Sequence, residues 1–174
     1  MAEITFTSEV GLTREDIAES GRLAEQEFGM EADPDQIQIS EKTYDWIYNH
    51  IPDCLNVIKL KGEVIGHTFI IPCSEILMNK FLNKEITENE LFEKIKKTVT
   101  VKNFETIYLC AAFIKSEFRR QGLASKGMVN SIKKLLSKRD IKPTLFYWAF
   151  SEEGKKLATK IAENVDLDLK GRLD

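Results

Sequence analysis

A continuous apolar run, Ile107–Ile114 (IYLCAAFI), meets a basic, glycine-containing stretch, Phe118–Gly127 (FRRQGLASKG). Beyond it Met128, Ile132, Leu135 and Leu136 recur at helical spacing. This order predicts a strand, a turn and a helix. If the helix starts near Gly122, its first backbone N–H groups have no intrahelical partner, and the macrodipole adds partial positive charge there. Arg119, Arg120 and Lys126 supply full charges around the same point, and Gly122 and Ala124 remove side-chain bulk. The turn thus reads as a cradle for a phosphate-like anion, although a basic surface loop with a turning glycine would share its composition.

At 174 residues the chain is expected to form a single domain, residues 1–174, able to bury roughly two thirds of its unfolded surface. A formal net charge of −3 argues against nucleic-acid binding through bulk charge, so the basic turn is a local feature of a mildly acidic chain. There is no signal-peptide pattern and no apolar run long enough to span a bilayer, which points to the cytoplasm and no membrane partner. Cys54, Cys73 and Cys110 have no metal-ligand spacing and sit in or beside apolar runs, so they read as small core residues, and no metal is expected.

The remaining elements follow from periodicity and capping. Ala2–Thr7 alternates as a strand, Thr13–Asp16 opens a helix carrying Ile17, Ala24 and Phe28, and Ser40 caps a second helix ending at Pro52. Leu55–Leu60 and Val64–Ile71 flank Lys61-Gly62-Glu63 as a hairpin. Thr87–Glu90 is a capping box ahead of an apolar stripe, Leu91, Phe92 and Ile95, so at least one helix is inserted between Pro72 and Asn103. Thr144–Phe150 (TLFYWAF) reads as a strand covered on both faces, Ser151–Gly154 opens a last helix, and Val165–Asp174 alternates as a final strand.

A strand, the turn Arg119-Arg120-Gln121-Gly122-Leu123-Ala124, a helix, then a second apolar strand and helix resemble the GCN5-related N-acetyltransferases, whose defining turn is Arg/Gln-x-x-Gly-x-Gly/Ala. The likeness is sharp from about Glu105 to Leu136, with Ile114 and Phe118 at the family's aliphatic and aromatic positions. It implies the acyl-CoA N-acyltransferase fold, an α/β architecture in which helices flank a central mixed, mostly antiparallel sheet, here with a helical insertion between strands 3 and 4. It also implies acetyl-CoA as cosubstrate, its pyrophosphate on the turn (Arg119, Arg120, Gln121, Gly122, Leu123, Ala124, Ser125) and its pantetheine along the strand edge at Ala112, Phe113 and Ile114. That edge would be free if the strand splays from Thr144–Phe150.

The implied reaction is acetyl transfer to a primary amine of a small molecule or protein. Several relatives carry a basic glutamate eleven residues before the first motif residue; here that position is Tyr108, and Glu105 is the nearest carboxylate, so these two are the candidate bases. The tyrosine that many relatives use to protonate the leaving thiolate corresponds to Ala158, leaving Tyr147 and Ser151 as substitutes, although each also suits a core or capping role. His67 and His50 suit structural positions more than catalytic ones. Acidic Glu31, Asp33 and Asp35 could attract a cationic acceptor. The alternative is a non-catalytic acyl-CoA sensor of the same fold, which the departures at Tyr108 and Ala158 make more than a formality; self-association as a homodimer is left open.

Overall fold

The computed structural model describes residues 3–28, 37, 40–98, 102–137, 139–148 and 151–172. Its elements run β1 (Ile4–Phe6), α1 (Thr7–Val10), α2 (Arg14–Phe28), α3 (Glu41–His50), β2 (Leu55–Leu60), β3 (Glu63–Cys73), α4 (Glu75–Leu82), α5 (Glu88–Thr98), β4 (Thr106–Ile114), α6 (Leu123–Leu136), β5 (Thr144–Trp148), α7 (Glu152–Val165) and β6 (Leu169–Arg172).

Side-chain caps set several helix starts. Thr13 N–H donates to Asp16 Oδ2 at 3.0 Å and Asp16 N–H returns a bond to Thr13 Oγ1 at 3.1 Å, opening α2. Thr87 and Glu90 exchange the same pair at 2.8 and 3.1 Å, opening α5. Ser151 Oγ accepts from Gly154 N–H at 3.0 Å ahead of α7. Each such cap contributes about 1 kcal/mol by satisfying an otherwise unpaired donor. The α6 start is different: its cap is Gly122 at φ 75°, which offers no side chain to the first turn.

Two boundaries differ from expectation, and the insertion meets it with two helices where at least one was expected. The first strand ends at Phe6 because Asn56 draws the chain into α1: Ser8 N–H donates to Asn56 Oδ1 at 3.1 Å. The insertion holds two helices, α4 and α5, the first capped by Ser74. The final strand begins at Leu169 because α7 continues through Val165 and stops where Asp166 turns left-handed at φ 54°. Ala149, Phe150 and the acidic Glu31, Asp33 and Asp35 lie outside the described residues.

The six strands form one sheet in the order β1-β2-β3-β4-β5-β6. β1 through β4 pair antiparallel, whereas β4–β5 and β5–β6 are parallel, the mixed, mostly antiparallel sheet expected. Directly opposed residues share a face, so Ile71, Tyr108 and Phe146 point one way, toward Phe81 of α4. Asn56 and Thr68 point the other way, toward Gly127 of α6. Gly127 must be small, since a Cβ there would lie 2.8 Å from Thr68 Oγ1.

The pairing of β4 with β5 covers only Thr106–Tyr108 against Thr144–Phe146. Beyond Tyr108 the two strands part, and among the described residues Leu109–Ile114 have ladder partners on the β3 side alone. A bulge accompanies the divergence: Phe69 opposes Ala111 and Ile70 opposes Leu109, leaving Cys110 as the extra residue.

Candidate active site

The parted strands open a cleft of about 790 Å³ that passes through the sheet. Leu109–Ile114 form one wall, Tyr147 and Trp148 the other. One face is closed by Ala124 and Met128 of α6 and by α7 residues including Leu157 and Ala158. The opposite face carries Ile17, Gly21 and Ala24 of α2, Tyr44 and Ile47 of α3, and Glu88 of α5. The gap therefore joins two chambers, one bounded by α6 and α7 and one by α2, α3 and α5.

At one end of the open edge stands the basic turn. Among the described residues no acceptor takes the backbone N–H groups of Arg120, Gln121, Gly122, Leu123, Ala124 or Ser125; the first intrahelical bond here runs from Lys126 N–H to Gly122 O at 3.0 Å. Arg120 and Gly122 both have positive φ, 62° and 75°, and a Cβ on Gly122 would meet nothing within 4 Å. The result is a concave set of donors at the positive end of a helix, chemically suited to a pyrophosphate.

The side chains of the turn serve other purposes. Arg119 Nε donates to Ile114 O at 2.8 Å and its Nη2 to Glu27 Oε1 at 2.9 Å, tying the end of β4 to α2. Leu123 is buried with Phe6, Ile58, Ile65 and Ile114, and the Ser125 side chain is also buried. Lys126 Nζ lies 4.9 Å from the Phe6 ring centroid, while Arg120 and Gln121 are exposed. Ala112, Phe113 and Ile114 line the cleft as expected of a strand edge. Gly66 allows β3 to follow that edge closely: a Cβ there would sit 2.4 Å from Phe113 O.

Neither candidate base read from the sequence reaches the cleft wall. Glu105 precedes β4 at its paired end, is exposed, and its carboxylate accepts from Glu75 N–H at the start of α4, 3.4 Å away. Tyr108 is 1% exposed, stacked on Phe146 at 4.9 Å and edge-on to Phe81 at 5.3 Å. Burial pushes its phenol well above the ordinary tyrosine range. Ser151 does line the cleft while capping α7, and Tyr147 and the methyl group of Ala158 line it too.

The structure brings forward a carboxylate that the sequence reading passed over. Glu88 of α5 is 7% exposed and lines the cleft. Its Oε1 accepts the Tyr108 hydroxyl at 2.6 Å and lies 3.9 Å from Cys110 Sγ; its Oε2 accepts Ile37 N–H at 3.1 Å. Burial raises its pKa above the usual carboxylate value, and those hydrogen bonds and the Arg172 charge oppose the rise. The signal was present: residues 88, 91, 92 and 95 share one helical face, so Glu88 extends the stripe Leu91, Phe92 and Ile95 into the core. Read as part of the cap, it looked like a helix-start acid.

His67 of β3 also lines the cleft, beside Phe113 at 5.8 Å between ring centroids. Burial lowers its pKa to about 4, so the ring is neutral at pH 7.

No protein-family model and no curated protein matches the sequence. Solved structures do resemble the fold. Diaminobutyrate acetyltransferase EctA from Paenibacillus lautus, solved with L-2,4-diaminobutyric acid and coenzyme A, is 15% identical at a TM-score of 0.56, over 95% of this chain and 78% of that one. An aminoglycoside acetyltransferase from an uncultured soil metagenomic sample, solved with trehalose, is 15% identical at a TM-score of 0.50, over 90% of this chain and 82% of that one. With the splayed β4–β5 pair and the glycine-led helix start, these likenesses establish that the chain has the fold of the GCN5-related N-acetyltransferases.

Proposed function

We propose that the protein is an acetyl-CoA-dependent N-acetyltransferase acting on a primary amine. The observation that carries this reading is the parting of β4 from β5 after Tyr108, so that Leu109–Ile114 line the cleft and lead to the amide-lined start of α6. A strand edge suits the peptide-like pantetheine arm, and the free N–H groups of Arg120–Ser125 suit its pyrophosphate. The thioester would then lie in the gap between the chambers, where the hydroxyls of Tyr147 and Ser151, both on the cleft lining, would meet a leaving thiolate. EctA was solved with a diamine substrate and coenzyme A, which makes L-2,4-diaminobutyric acid one reasonable probe of this chain.

The test is thiol release from acetyl-CoA with n-butylamine, lysine, L-2,4-diaminobutyric acid and an alanine-initiated peptide, alongside thermal melts. A ligand bound only by the folded state adds about 2.7 kcal/mol at a hundredfold excess over its Kd, so acetyl-CoA should raise the Tm. Amine-dependent thiol release supports the enzyme reading. The sensor reading draws on Tyr108, whose hydroxyl is committed to Glu88 and not to the cleft; it expects a raised Tm without release. No thermal shift and no calorimetric heat at millimolar coenzyme would remove both.

A further inference from the structure

We propose that Glu88, delivered by the inserted helix α5, receives the acceptor's ammonium group and removes its proton, and that the acceptor is a primary alkylamine whose carbon skeleton next to the nitrogen is apolar. The inference rests on the acetyltransferase reading above and names the chemistry of its second chamber.

The argument starts from what surrounds the carboxylate. Among the described residues the carboxylates lining the cleft are Glu88, nearly buried, and Glu153, exposed at the start of α7. The wall that shares the chamber with Glu88 is supplied by Ile17, Ala24, Ile37 and Ile47, with Tyr44 and Ser20 as polar additions. A carboxylate in apolar surroundings attracts a cation strongly because little solvent screens the pair, while the aliphatic wall receives a hydrocarbon chain. A second positive charge beside the first would meet aliphatic carbon there.

The carboxylate is also held in place. Tyr108 is fixed between Phe81 and Phe146, and Phe81 in turn lies under the Arg172 guanidinium at 4.8 Å, so the Tyr108 hydroxyl fixes Glu88 Oε1 while Ile37 N–H fixes Oε2. Tyr108 is thus a positioning residue and Glu88 the group that meets the substrate. In the step itself, Glu88 takes one proton from the ammonium. The neutral nitrogen forms the new C–N bond to the acetyl carbon as the C–S bond breaks, and the departing thiolate takes the nitrogen's second exchangeable proton. Glu88 then returns its proton to solvent. Around Glu88 stand Tyr108 and Cys110 of β4, Ile37 N–H and Arg172 of β6; burial favours the protonated acid and outweighs the hydrogen bonds from Tyr108, Ile37 and Cys110 and the Arg172 charge, all of which favour the carboxylate. The base form therefore accumulates only above the ordinary carboxylate range, giving an ascending limb in kcat/KM against pH.

The experiment compares the parent with Glu88→Gln and Tyr108→Phe, using acetyl-CoA with n-butylamine and 1,4-diaminobutane, and calorimetry of coenzyme A. Glu88→Gln should lower kcat/KM at pH 7 by about a hundredfold or more and abolish the ascending limb. Its coenzyme A Kd should stay within about threefold of the parent, and heats of n-butylammonium binding to the coenzyme A complex should fall at least about tenfold in affinity. Tyr108→Phe should keep the limb but move it to higher pH, because the phenol no longer stabilises the ionised carboxylate. The parent should prefer n-butylamine to 1,4-diaminobutane. A folded Glu88→Gln with turnover within about threefold of the parent and an unchanged limb overturns the inference while leaving the acetyltransferase reading intact. If Glu88→Gln fails to fold, an unmoved limb in Tyr108→Phe overturns it instead. Coenzyme A binding without turnover in the parent overturns it together with the enzyme reading.

Discussion

The first half of β4, Thr106–Tyr108, is held by ladders on both sides, against β3 and β5, whereas the second half, Leu109–Ile114, has a ladder with β3 alone among the described residues. The locked half is organised by side chains: Tyr108 sits between Phe81 and Phe146, and its hydroxyl reaches Glu88. The open half is organised by backbone: a strand that has left its β5 neighbour runs toward amides ahead of α6 that have no acceptor among the described residues. One strand thus meets two needs. A peptide-like ligand can add to the open edge because β5 has left it, and a carboxylate can be held in an apolar chamber because the aromatic cluster beside it is buried and close-packed.

The sharpest way to break this division is Phe81→Ala. Phe81 is fully buried and touches Tyr108, Phe146, Trp148 and the Arg172 guanidinium. Removing the ring should cost about 3–5 kcal/mol of stability, read from denaturant melts. If the halves are separable, the folded variant keeps parental coenzyme A affinity by calorimetry. A loss beyond about tenfold would mean that the open edge depends on the aromatic cluster, and the two halves are one unit.

The same contrast explains what could be read from the sequence. Backbone recognition needs few residue types at fixed spacing, so Gly122 and the apolar strand before it marked the turn, while the parting of the strands was legible only through the family resemblance that the turn carried. Caps were equally legible at Thr13, Ser40, Thr87 and Ser151, because each pairs with a donor three residues away. Glu88 was not, because its role depends on Tyr108, twenty residues on, and on a fold that brings α5 beneath β4. Glu105 was chosen for nearness in sequence, yet it lies at the paired end of the strand, where its main-chain O accepts Thr144 N–H at 3.3 Å. Proximity along a chain says little about proximity across a sheet.

For the open half, Gly122→Glu is the strongest probe. A side chain at φ 75° adds roughly 1 kcal/mol of backbone strain, but the space around the new Cβ is empty, so the fold should survive. A carboxylate among the unpaired amides would repel a pyrophosphate, and coenzyme A affinity should fall by about a hundredfold, roughly 2.7 kcal/mol. Unchanged affinity in a folded protein would move the phosphate site away from this turn.

His67 tests the open half through pH. The unfolded histidine takes a proton near 6.5, but in the folded protein burial delays this to about 4. Between those values the unfolded state binds more protons, so stability is greatest above 6.5 and declines as pH falls toward 4. A fully dry site would give about 1.4 kcal/mol per pH unit; because the ring borders the cleft, a total near 2 kcal/mol is expected. Glu88 acts in the opposite sense: its raised pKa favours the folded state at low pH, and this contribution is lost as pH rises from 4.5 through its folded value. His67→Phe should therefore remove the acid-side decline and expose the Glu88 slope. Parallel pH profiles for parent and variant would show that His67 is solvated.

The smallest effect concerns the end of the open edge. Arg119 Nε donates to Ile114 O at 2.8 Å in a partly buried bond, a contribution of about 0.5–1.5 kcal/mol. Its pair with Glu27 is about half exposed on both sides, and such pairs contribute at most about 1 kcal/mol and are weakened by salt. Arg119→Ala should thus lower stability by about 1 kcal/mol, and Glu27→Gln by only a few tenths that fade in about 0.5 M salt. Because the guanidinium already has two partners while Arg120 is exposed, coenzyme A affinity should drop only a few-fold in Arg119→Ala. Arg120→Ala should leave stability unchanged and make binding less sensitive to salt. A drop beyond about tenfold in Arg119→Ala, with the melting curve unmoved, would show that Arg119 leaves Ile114 and Glu27 to hold the ligand. The open half would then bind with side chains as well as backbone, and the contrast with the locked half would narrow to the strand edge alone.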